Sequence, residues 1–153
     1  MDAVYVTRNT VFAATAGIKT ALKLVTPTSF NIKIHELKVS LDGVSASAVP
    51  ATLEWGTSDE TTAGTGVGTA VTTQIKGRPQ AHGLTVSQNH SAEGTTYTIH
   101  EGIFIPQFMG LLVLQNPLGL ENESPGDAAD SFLVRINVTA NVNVFVSLKW
   151  SRA

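Results

Sequence analysis

The chain has 153 residues, a net charge of −2, only 14% charged residues and no cysteine. That length suits one domain with a core of its own. The charge balance excludes a dedicated duplex-DNA binder, and the absence of cysteine excludes disulfides and thiolate chemistry.

Residues 1–17 are mildly apolar without a clear period and read as an N-terminal arm, with a single domain following over 18–153. Val4, Tyr5, Val6, Val11 and Phe12 have no obvious place in a core, so they are candidates for contact with a neighbouring molecule. The alternative is that the arm adds a strand to its own sheet. The opening MDAVYVTRNTVFAATAG lacks the basic start and apolar core of a signal peptide, which leads to the expectation of a protein finished in the cytoplasm. No apolar run approaches the ~20 residues of a membrane helix, so no membrane partner is expected.

IKTALKLVT (18–26) reads as a strand. NIKIHELKVSLDG (31–43) is longer: Ile32 and Ile34 share one parity, and Leu37, Val39 and Leu41 the other. A strand cannot turn its apolar face without an extra residue, so a β-bulge or bend is expected at His35-Glu36. ATLEWGT (51–57) follows, with Trp55 sharing the parity of Leu53 and so expected inside.

AGTGVGTA (63–70) invites comparison with a phosphate-binding loop. Such a loop needs a lysine and a hydroxyl directly after its glycines and then a helix. Here Thr69, Ala70 and Val71 follow, and the nearest lysine is Lys76, so the stretch reads as slack between strands. AVTTQI (70–75) is the next strand, and GRPQAHGLTVSQNHSAEG (77–94) a long polar loop. TTYTIHE (95–101) and GLLVLQN (110–116) are further strand candidates. Between them, EGIFIPQFMG (101–110) carries Ile103, Phe104, Ile105, Phe108 and Met109, which cannot all face one core. Some of these form a seam with another copy, or the segment crosses between two sheets. SFLVRINV (131–138) and NVNVFVSLKW (141–150) alternate cleanly, and the short link TAN (139–141) predicts a hairpin between them.

The sum is an all-β chain: an antiparallel β-sandwich or single jelly roll of about eight strands with an extended arm. Site chemistry is sparse. His35 and His100 are each followed by glutamate, which places the two side chains on opposite faces of a strand. No His-x-His pair offers a metal two ligands on one face. There is no Gly-x-Ser-x-Gly elbow, and no triad can be selected from the sequence. DAAD (127–130) lacks the oxygen ligands of a calcium loop. No catalytic residue, cofactor, metal or small-molecule substrate is expected.

Three stretches together resemble small auxiliary proteins encoded in the head-gene clusters of tailed bacteriophages. They are ATAGIKTALKLVTP (14–27), IHELKVSLDGVSASAVPATLEW (34–55) and LQNPLGLENESPGDAADSFLVRINVTANVNVFVSLKW (114–150). The motifs are structural turns, and no diagnostic site residue carries over. The resemblance implies a capsid decoration, or cement, protein of jelly-roll type. Such a protein binds the outer surface of the virion shell, often as a homotrimer, and clamps neighbouring major capsid protein subunits. Its implied partners are the major capsid protein and itself, with no nucleic acid, and its function is contact area rather than turnover. The alternative is a carbohydrate- or receptor-binding β-sandwich module of a phage tail or fibre, which calls for exposed aromatics.

Overall fold

The computed structural model describes residues 2–43, 49–59, 64–108, 110–124 and 130–153. Twelve strands form two antiparallel sheets, and no helix occurs among the described residues. In chain order they are β1 (Val4–Arg8), β2 (Phe12–Ala14), β3 (Gly17–Val25), β4 (Ile32–Leu41), β5 (Ala51–Ser58), β6 (Val71–Lys76), β7 (Thr85–Gln88), β8 (Thr98–Ile105), β9 (Leu112–Gln115), β10 (Asn122–Ser124), β11 (Ser131–Val138) and β12 (Val142–Arg152). The larger sheet runs β10-β4-β12-β1-β6, with β2 also on β12 and β9 also on β4. The smaller runs β7-β3-β11-β5-β8. All eight expected strands are present. The four additional ones, β1, β2, β7 and β10, come from the stretches read as arm, loop and bend.

The pairings nest. Val4 faces Ser151, Val142 faces Ala14, Gly17 faces Val138, Asn122 faces Ile34, Ala51 faces Ile105 and Thr69 faces Ser87, each pair inside the last. The chain is thus one long hairpin wound into two layers, which is how a jelly roll is built. Residues 64–70 of the glycine-rich stretch run along the innermost pairing of that winding, bridging to Ser87 and Ala92, and they are not slack. The Thr65 N–H donates to Ala92 O at 2.7 Å and the Val67 N–H to Gln88 O at 2.8 Å. A Cβ on Gly66 would meet the Ser87 Cβ at 2.8 Å, so glycine is needed for close approach rather than for phosphate.

The core lies between the layers. Leu22, Leu24, Leu53, Trp55, Phe132, Val134 and Ile136 face Ile32, Ile34, Leu37, Val39, Leu41, Val144, Val146, Leu148 and Trp150. β4 keeps both of its apolar parities buried because the register with β12 slips between Lys149 and Trp150, leaving His35 as the extra residue. The bulge is where the change of parity demanded it.

Two expectations are corrected. The last two strands are not a hairpin: β11 pairs with β3 and β5 in one sheet, whereas β12 pairs with β4, β1 and β2 in the other. Their short link bridges the layers, because both strands are apolar on the side that faces the core. Residues 4–14 are not a free arm either. β1 lies between β12 and β6, with Tyr5 stacked on Trp150 at 4.5 Å between ring centroids. The Trp150 indole N–H donates to the Thr7 hydroxyl at 2.9 Å. Where β1 ends, the buried Asn9 side chain takes over: its carbonyl oxygen accepts the Val146 N–H at 2.8 Å, and its amide donates to Asn89 Oδ1 at 2.9 Å and to Val144 O.

Candidate interaction surfaces

Residues 102–120, GIFIPQFMGLLVLQNPLGL, contain no charged side chain. The described ones form the end of β8, the crossing to β9, β9 itself and the turn beyond it. β8 ends the smaller sheet, pairing only with β5, and β9 pairs only with β4 among the described residues. This flank therefore combines open strand edges with apolar side chains. Ile99, Phe104, Phe108, Leu111, Val113, Leu118 and Leu120 are all exposed, Phe104 at 76%, Leu120 at 74% and Leu118 at 96%. Six of them fall within residues 102–120, out of 13 exposed large apolar side chains among the described residues, so nearly half are gathered in 19 positions rather than scattered along the chain.

The flank is held rigidly. The buried Gln107 amide donates to Val49 O at 2.9 Å and to the Thr139 hydroxyl at 2.7 Å, and its backbone oxygen accepts the Gly43 N–H at 3.0 Å. At the far end, the Leu120 N–H donates to Pro117 O at 2.9 Å, and Gly119 has φ +86°, as the third position of a type II turn requires. Glu121 accepts the Gly119 N–H at 2.8 Å, and Asn116 donates its side-chain amide to Ile34 O at 2.7 Å and its backbone N–H to His35 O at 2.9 Å. Two leucines are thus displayed on a braced turn.

The ten residues singled out from the sequence separate. Tyr5 and Ile105 are buried in the core and are not available to a partner, because each sits on the inward parity of its strand. Val4 and Val6 are half-buried on the outer side of β1. Phe12 and Ile103 are half-buried against the core. Val11, Phe104 and Phe108 are exposed, and Met109 lies outside the described residues. Leu111, Val113, Leu118 and Leu120 were missed. The lack of charge from 102 to 120 was the signal that could have found them.

The outer face of the larger sheet is a second broad surface. Register places Val4, Val6 and Arg8 of β1 opposite Ser151, Lys149 and Ser147 of β12, with Val71 and Thr73 of β6 on one side and Glu36 and Lys38 of β4 on the other. Glu36 is buried between Lys38 Nζ at 3.1 Å and Lys149 Nζ at 3.2 Å, and it also accepts from Gln115 at 3.0 Å. Burial would raise its pKa, but the hydrogen bonds from Gln115, Lys38 and Lys149 and the Lys149 charge outweigh it and hold the group at about 2.

The outer face of the smaller sheet is covered in part by its own chain, over β3, β11 and β5 but not over β8. Glu93 accepts the Thr20 N–H at 2.7 Å and the Thr20 hydroxyl at 2.5 Å. Tyr97 lays its ring over the Arg135 guanidinium at 4.1 Å, and Arg135 bonds Glu54 at 2.7 Å. Part of the loop read over 77–94 is therefore a strap, and its β7 extends the sheet beside β3.

One cluster has the order nucleophile, base, acid. His35 Nε2 lies 2.8 Å from the Ser151 hydroxyl and His35 Nδ1 3.9 Å from Glu121 Oε1, beside an open hollow of about 630 Å³ lined also by Lys33, Leu118 and Arg152. The Glu121 distance is too long to hold an imidazole N–H. Ser151 is paired on both sides, to Val4 and Lys33, so its backbone is committed to the ladders rather than free to stabilise an oxyanion. The contact braces the bulge. Among the described residues no group of three or more His, Asp or Glu could hold a metal ion.

No family model matches the chain, and no curated protein matches it. Among solved structures it is weakly similar to those of viruses. One is turnip yellow mosaic virus, at 13% identity over 95% of this chain and 79% of that one, with a TM-score of 0.26. Another is the infectious bursal disease virus VP2 subviral particle, at 12% identity over 97% of this chain and 41% of that one, also with a TM-score of 0.26. The chain thus spans less than half of the VP2 chain. A superposition this loose does not establish common descent or a shared role.

Proposed function

We propose that the chain is a structural component of a virion: a decoration protein that sits on the outside of a phage head, associates with copies of itself and clamps neighbouring major capsid subunits. The observation that carries the reading is the uncharged, braced flank of residues 102–120. Its exposed apolar side chains, at roughly 150–250 Å² for each large aromatic and somewhat less for each leucine, sum to on the order of 700 Å², divided between the outer side of the smaller sheet at Phe104, the outer side of the larger sheet at Val113, and the crossing and turn that join them. A stable protein interface covers about 800 Å² on each partner. Rigid display of that much apolar surface serves contact and no chemistry. The resemblance to auxiliary head proteins agrees with it, as does the failure of the His35 cluster to meet the geometry of a catalytic centre. Of the aromatics a sugar-binding module would expose, the two tryptophans, Trp55 and Trp150, are both buried, which leaves Phe104 and Phe108 as the exposed large rings.

The test is mass in solution by light scattering, followed by co-pelleting with expanded shells that lack the protein. An oligomer that pellets at a fixed ratio is expected. A monomer that stays in the supernatant would overturn the reading.

A further inference from the structure

Half of the chain's ten lysines and arginines, Arg8, Lys33, Lys38, Lys76 and Lys149, stand on the strands of the larger sheet at its outer face, in a protein whose net charge is −2. The acids there are already engaged. Glu36 is held between Lys38 and Lys149, and Glu123 pairs with Lys33 at 3.6 Å. Arg8 and Lys76 have no acid within ion-pair distance among the described residues. Arg8 instead lies over the Phe145 ring, 5.9 Å from its centroid. Between these cations run Val4, Val6, Val71 and Ile75, the last two exposed. An apolar centre with a charged rim is how a protein interface is composed. The excess of positive charge requires a partner of opposite sign, since like charges brought together cost several kcal/mol. Nucleic acid fits less well: neutral Thr73, Ser147 and four aliphatic side chains occupy the places where a phosphate-tracking surface would set further cations and hydrogen-bond donors.

We infer that the outer face of the larger sheet docks on an acidic protein surface, centred on Val4, Val6, Val71 and Ile75 and oriented by Arg8, Lys76 and Lys149. This rests on the decoration reading for the partner's identity, but not for its chemistry. It also separates two tasks. The uncharged flank gives association that is insensitive to salt, and the charged face gives recognition that weakens as salt is added.

The test has two arms. In the first, poly-L-glutamate and, separately, a 20-base-pair DNA duplex are titrated into the labelled protein and followed by amide chemical shifts. Shifts on β1, β6 and β12 with polyglutamate are expected, at least tenfold weaker in Arg8→Glu/Lys76→Glu. Absence of such shifts, or tighter binding of the duplex, would overturn the inference. Both substitutions are at exposed positions, and an unchanged melting temperature confirms the fold. In the second arm the wild type and the double variant are pelleted with undecorated shells from about 0.05 to 0.5 M salt. Binding should fall by about tenfold across that range and by roughly ten- to hundredfold in the variant. Shell binding that is equal in the variant and indifferent to salt refutes the docking face while leaving decoration standing. A wild type that binds polyglutamate but never pellets refutes decoration and leaves the face intact.

Discussion

Replacing Leu118 and Leu120 together by serine separates a displayed contact from a structural one. Both side chains are almost free of the protein, at 96% and 74% exposed, and the turn that carries them is closed by the Pro117–Leu120 backbone bond and by Glu121, neither of which the substitution touches. In the isolated domain the change should move stability by no more than about 0.5 kcal/mol. If a partner covers the leucines, each contributes about 1.5–3 kcal/mol on full burial. Part of that is lost to ordering and imperfect burial, leaving about 2–4 kcal/mol for the pair. The association constant should then fall roughly 30- to 1,000-fold. Sedimentation equilibrium reads self-association, shell pelleting reads clamping, and a urea melt of the same sample reads stability. A variant that associates and pellets like the wild type would refute the assignment of this flank. One that loses stability by more than about 1 kcal/mol would show that the leucines pack within the chain instead.

Three further outcomes follow from polar groups that tie the strands together. Asn9→Ala removes the acceptor of the Val146 N–H and the donor to Asn89, and should cost about 2–4 kcal/mol in chemical denaturation because those partners are left unsatisfied inside the sheet. Glu93→Ala should cost about 1–3 kcal/mol and speed hydrogen exchange at the Thr20 amide, whereas a melt unchanged within error would show that the strap over Arg135 holds without it. The Glu36 carboxylate, lowered from 4.5 to about 2, adds stability that is complete above about pH 4.5 and is lost as pH falls towards 2. Glu36→Gln should flatten that part of the stability–pH curve, and an unchanged slope would place the acid sensitivity elsewhere.

Some of this could be read directly. Period two in residues 131–138 and 141–150 puts Phe132, Val134, Val144 and Trp150 inside without reference to any partner, because alternation alone decides which side of a strand is wet. The change of parity at His35-Glu36 required an extra residue, and one is there. β1 stood open between an arm and an added strand although it alternates as well, because its inward positions run on to Thr7 and the terminating Asn9 rather than to hydrocarbon. Those polar groups are acceptable inside only because Trp150, Val146 and Asn89, each far along the chain, supply their hydrogen bonds.

The order of strands was beyond the sequence for the same reason. A pattern says which face of a strand is buried, not which strand lies beside it. The short link after Val138 looks like a hairpin turn whether the next strand stays in its sheet or crosses to the other. The deciding contacts, Gly17 with Val138 and Ile32 with Arg152, join residues more than a hundred positions apart. The flank was half legible. Its lack of charge is written in residues 102–120, but the same letters would suit a buried strand. What turns them into a surface is that β8 and β9 close the pairing of their sheets, so their apolar side chains have no further layer of this chain to cover them.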